Sequence, residues 1–70
     1  MTMLMDKLSM IGQCGKEIEL TFREGSDLIH FLHHYQGTNW RIIDDTKVVL
    51  VCEDKAEAED IKDSIERGEI

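Results

Sequence analysis

Three histidines are the first residues whose spacing invites a chemical reading. His30 and His34 stand four apart, so one helical face can present both imidazoles to a shared divalent ion, while His33 projects about 100° away. A metal site of tetrahedral or higher coordination needs three or four ligands. The metalloprotease pattern places a glutamate directly after the first histidine, and here that position is Phe31. Any third ligand has to come from solvent, the sheet or another subunit. His30 and His34 are therefore weak metal candidates, and exposed or interfacial histidines are the leading reading.

Nucleophilic chemistry needs an activated hydroxyl or thiol beside a base. Ser9, Ser26 and Ser64 fit plainer roles in a strand, a helix cap and a helix. Cys14, beside Gly15 in a turn, is the one thiol placed to pair with a histidine, and nothing in the spacing brings them together. Cys52, in an apolar run, reads as core packing. With no CxxC, the two cysteines are read as reduced thiols of a cytoplasmic protein. Phosphate loops and dinucleotide fingerprints are missing, and no cofactor is expected.

Residues suited to binding are more prominent than residues suited to catalysis. Trp40 and Arg41 are adjacent, and both types concentrate at binding hot spots, although the single tryptophan of so small a chain also reads as a packing anchor. Asp44 and Asp45 follow closely, which opposes a nucleic-acid stacking platform. Glu57, Asp60 and Asp63 recur every three residues near the C-terminal end. Residues 53–70 hold eight acidic and three basic side chains, and the whole chain has a formal charge of −7. Such a charge repels phosphate backbones and anionic lipid surfaces, so neither direct nucleic-acid binding nor membrane binding is expected. A solvated acidic helix is the plain reading of this end. The sharper one is a surface that docks a basic, nucleic-acid-binding protein.

The elements that must hold these residues can be read from periodicity. Seventy residues make one small domain, over 1–70 with residues 1–6 frayed. In a chain this short, apolar burial and ordering entropy roughly cancel, so a partner or self-association is favoured. Leu8 to Gly12 reads as a short strand, and Gly15 supplies the positive φ of a tight turn. From Glu17 to Arg23 apolar and polar residues alternate, with Ile18, Leu20 and Phe22 on one face. A helix follows, capped by Ser26 and running to about Gln36 before Gly37. Leu28, Phe31, Leu32 and Tyr35 form its apolar face, Ile29 its shoulder, and the histidines lie opposite.

Asn39 to Ile43 reads as a strand, Asp44-Asp45-Thr46 as a turn, and Lys47 to Cys52 as a central strand apolar on both faces. Val49 and Val51 occupy its second face and are expected to meet a partner. The last helix runs to about Arg67 with a thin stripe of Ala58, Ile61 and Ile65, and Gly68 ends it. Lys16 to Leu20 aligns with Lys47 to Val51 at a spacing of 31, with the helices shifted by about two residues.

The expected fold is α+β: an antiparallel-rich four-stranded sheet with two helices on one face, in the order ββαββα. A three-stranded alternative loses the first strand. The expected function is a non-enzymatic protein–protein interaction module, an inhibitor or regulator that docks a basic partner, with homodimerisation through the open face of the central strand. Its contact residues are Trp40, Arg41, Val49, Val51, Glu57, Asp60 and Asp63. The alternative is a small metal-dependent or thiol enzyme built on His30 and His34 or on Cys14.

Overall fold

The computed structural model describes residues 4–35, 37 and 39–69, and only the backbone of Met5. One helical turn, α1 (Leu4–Lys7), precedes β1 (Leu8–Cys14) and β2 (Glu17–Phe22). Helix α2 (Gly25–His34) leads to β3 (Asn39–Asp44) and β4 (Lys47–Val51), and α3 (Lys55–Glu66) closes the chain. The sheet is antiparallel throughout, in the order β1-β2-β4-β3, with the helices α2 and α3 packed mainly over β1 and β2. This is the expected small α+β domain.

The core is the alternating face of the two central strands. Ile18, Leu20, Val48 and Leu50 are fully buried, and Phe22 and Cys52 extend the row. The cross-strand pairs Ile18–Leu50 and Leu20–Val48 put all four of the first set on one face, because directly opposed residues in a sheet share a side. Helix α2 adds Leu28 and Phe31, and α3 adds Ala58 and Ile65. The Phe22 and Phe31 rings meet at 5.6 Å, and Phe31 stacks on Tyr35 at 5.0 Å.

The repeat is real in three dimensions, but its period is 30 residues rather than 31. The two-residue turns at 15–16 and 45–46, the strand starts at Glu17 and Lys47, and the helix starts at Gly25 and Lys55 all keep that spacing. Buried positions follow it too: Ile18 with Val48, Leu20 with Leu50, Leu28 with Ala58. A spacing of 31 pairs buried Ile18 with Val49 on the opposite face, since a one-residue slip inverts a strand. No shift of the helices is required. Two hydrogen bonds related by the same spacing close the ends of the β2–β4 seam: the Phe22 amide donates to the Thr46 carbonyl at 2.7 Å, and the Cys52 amide to the Lys16 carbonyl at 2.9 Å.

Other boundaries differ from expectation. The start is not frayed through residue 6: Leu4 is buried in the core and α1 packs against α3. Residues 1–3 and Gln36 lie outside the described residues. Strand β1 reaches Cys14, two residues beyond the expected end, by pairing with Glu17. Helix α2 begins one residue before Ser26, its N-cap is Glu24 without a side-chain cap bond, and it ends at His34. Helix α3 is capped at both ends. The Asp54 carboxylate accepts from the Glu57 amide at 2.8 Å. At the other end Gly68 takes φ 81°, while the Gly68 and Glu69 amides donate to the Ile65 and Ser64 carbonyls. That pair of bonds with a left-handed residue is a Schellman closure.

The two helix starts therefore respond differently to equivalent changes. Asp54→Ala removes the cap bond and is expected to lower unfolding free energy by about 1 kcal/mol. Ser26→Ala removes no cap bond and is expected to change it by less than about 0.5 kcal/mol. Urea titration followed by circular dichroism checks both, and a larger loss for Ser26→Ala contradicts the assignment of the caps.

Candidate functional site

The sheet separates Cys14 from the histidines. Cys14 is exposed and pairs with Glu17, whose neighbours Glu19 and Val49 lie on the face away from the helices. Gly12, Cys14, Glu17, Glu19 and Val49 help to line an open depression of about 220 Å³ there. The histidines stand on α2, which packs on the other side. No Cys14–histidine dyad is formed.

The His30 and His34 rings lie 4.7 Å apart on the solvent side of α2, and His33 is exposed as well. Among the described residues, no group of three or more His, Cys, Asp or Glu side chains is gathered as a metal site. The pair thus has the expected face and spacing, with no third ligand beside it.

The proposed contact residues fall into three places. Val49 and Val51 lie on the open face, but Val49 is only 5% exposed. Arg41 pairs with Val49 and Glu17 with Val51, and their side chains approach to 3.9 Å across β4. Polar neighbours thus cover the apolar strand from within the chain, and the open face presents Glu17, Glu19, Arg41 and Thr21 around it. This corrects the expectation of a bare apolar second face.

Trp40 belongs to β3, an edge strand with every residue exposed. It pairs with Leu50 and Ile42 with Val48, so both point to the helix side. The helices do not reach far enough to bury them: Trp40 is 43% exposed and Ile42 48%. Trp40 is not a buried packing anchor. Ile43, in a bulge between the paired residues Ile42 and Asp44, is also exposed. Sequence reasoning missed Ile42 and Ile43 as surface residues, because an apolar strand carries no mark of where its covering helices stop.

The acidic residues sit at the other edge of the sheet. Glu59, Asp60, Asp63 and Glu66 of α3, with Lys62, line a shallow groove beside Gln13 of β1. Asp60 and Asp63 are exposed, whereas Glu57 is half-buried in the first turn beside the Asp54 cap. Local ion pairs engage part of this surface, Lys62 with Glu66 at 2.7 Å and Arg67 with Asp63 at 3.2 Å. No described helix is long and apolar enough to cross a membrane.

Comparison with protein-family models, curated proteins and solved structures finds no match. Function must therefore be read from the surface itself.

The two thiols provide a direct check on the placement of the faces. Cys14 is exposed and Cys52 is 3% exposed. A colorimetric disulfide reagent is expected to titrate one thiol per native chain within minutes and the second only on unfolding. Fast reaction of both thiols in the native protein contradicts the packing of Cys52.

Proposed function

We propose that this protein is a non-catalytic interaction module that regulates a basic protein by occupying its binding surface. One observation carries the reading: four exposed carboxylates of α3, Glu59, Asp60, Asp63 and Glu66, line one groove at a sheet edge. Asp60 and Asp63 are separated by about 4.5 Å of helix rise. Phosphates recur about every 3.4 Å along one strand of a duplex. An exposed acidic row of this pitch attracts the lysines and arginines that a nucleic-acid-binding protein presents, and steers it over long range.

The local pairs of Lys62 and Arg67 lower this field without abolishing it, since surface ion pairs of this kind contribute about 0–1 kcal/mol and exchange readily. Glu59 and Asp60 have no ion-pair partner among the described residues. The reading places the protein in the cytoplasm, with both thiols reduced. It assigns no role to a cofactor, to direct nucleic-acid contact or to a membrane. The histidine pair supports no enzymatic alternative without a third ligand.

The test is recovery of partners by the native protein and by the Asp60→Lys/Asp63→Lys variant, each identified by mass spectrometry. A basic nucleic-acid-binding partner is expected, competed off by duplex DNA or RNA and lost in the variant. Its affinity is expected to fall at least about tenfold between roughly 50 and 300 mM salt as screening shortens. A partner whose binding is indifferent to salt and to both substitutions contradicts the proposal.

A further inference from the structure

Among the described residues, β3 is the edge strand left barest by the fold. It pairs with β4 alone, all six of its residues are exposed, and the helices pack mainly over β1 and β2. An edge strand presents unpaired N–H and C=O groups that template pairing with another strand. Strands of this kind are usually protected by charge, prolines, bulges or cover, and β3 has one bulge, between Ile42 and Asp44. Here the strand carries Trp40, Ile42 and Ile43 with one Arg and one Asp.

The bulge decides how these residues are arranged. Residues three apart in a regular strand point to opposite faces. Arg41 pairs with Val49 and Asp44 with Lys47, and both partners lie on the open face opposite Glu19 and Thr21. The extra residue between Ile42 and Asp44 therefore brings Arg41 and Asp44 to the same face. Ile42, opposite Val48, points to the helix side, and Ile43 is the extra, exposed residue of the bulge. The strand carries opposite charges on one face, with Ile42 towards the other and Ile43 exposed at the bulge between them.

That pattern is complementary to itself when reversed. We propose that β3 is the docking site for a second copy of this chain, the two β3 strands pairing antiparallel about a two-fold axis with Arg41 of each copy opposite Asp44 of the other. This register sets Ile42 against Ile43 across the axis. The register that places Arg41 opposite Arg41 repels, because like charges directly opposed are unfavourable. Strand β3 is neutral in sum, and the acidic helix α3 lies towards the other edge of the sheet, away from the contact. The chain already joins two ββα units by this kind of operation at the β2–β4 seam. Joining two chains at β3 gives an isologous, closed contact and an eight-stranded sheet with all helices on one side.

This inference stands apart from the acidic docking surface, and its test uses the purified full chain alone. Sedimentation equilibrium from about 5 to about 500 µM is expected to show a reversible monomer–dimer equilibrium. Arg41→Asp and Asp44→Arg should each weaken dimerisation at least about tenfold, because each creates two like-charge contacts per dimer. The double variant Arg41→Asp/Asp44→Arg should return to within about threefold of the parent. Glu17→Gln breaks the intrachain pair of Arg41 and should leave dimerisation unchanged. Ile43→Lys, at an exposed position, should abolish it while circular dichroism stays native. A monomer throughout the range overturns the proposal. So does a dimer that ignores both single reversals, or one that the double reversal fails to restore.

Discussion

The pairing of β2 with β4 is the constraint on which the rest of this structure depends. It joins two ββα units that could not each enclose a core. Ile18 and Leu20 from the first unit and Val48 and Leu50 from the second are fully buried only because their strands lie side by side in this register. The pair Glu19–Val49 sits at the middle of the seam, and the bonds from Phe22 to Thr46 and from Cys52 to Lys16 close its two ends symmetrically. Shifting β2 by one residue would turn the buried Ile18, Leu20 and Phe22 to the open face at once.

Once the seam is fixed, the surfaces follow. Two strands become edges, and the helices leave one face of the sheet open. Both helices favour the β1–β2 side, so one edge is flanked by the carboxylates of α3 and the other, β3, keeps its isoleucines and tryptophan in solvent. The two edges thus differ, with the α3 carboxylates beside β1 and exposed Trp40, Ile42 and Ile43 on β3. This difference supports the two proposed contacts, one through long-range attraction and one through backbone pairing and apolar contact. The Cys14 thiol and the imidazoles of α2 are held on different sides of the sheet.

Much of the fold was legible because its signals are local. The alternation from Glu17 to Phe22, the positive φ of Gly15 and the stop at Gly68 are properties of a few consecutive residues. The features that were not legible depend on distant partners. Matching Lys16 with Lys47 gave a spacing of 31, and only the β2–β4 register shows that buried faces align at 30. Val49 looks available to a partner in the sequence, yet the Arg41–Glu17 pair bridges its strand. The opening methionines show no periodicity, but Leu4 finds a place in the core near α3. The contact residues divide in the same way. Asp60 and Asp63 were found from helical spacing alone, whereas the exposure of Ile42 and Ile43 depends on the bulge and on the reach of the helices.

Residue-resolved hydrogen exchange under native conditions tests the central role of the seam most directly. Amides of β2 and β4 that bond across it should exchange slowest in the chain and share one opening free energy, equal to that of global unfolding. Separate free energies for the β1–β2 and β3–β4 hairpins, or slowest exchange in the helices with the seam opening first, would contradict the account of two units held as one by β2 and β4.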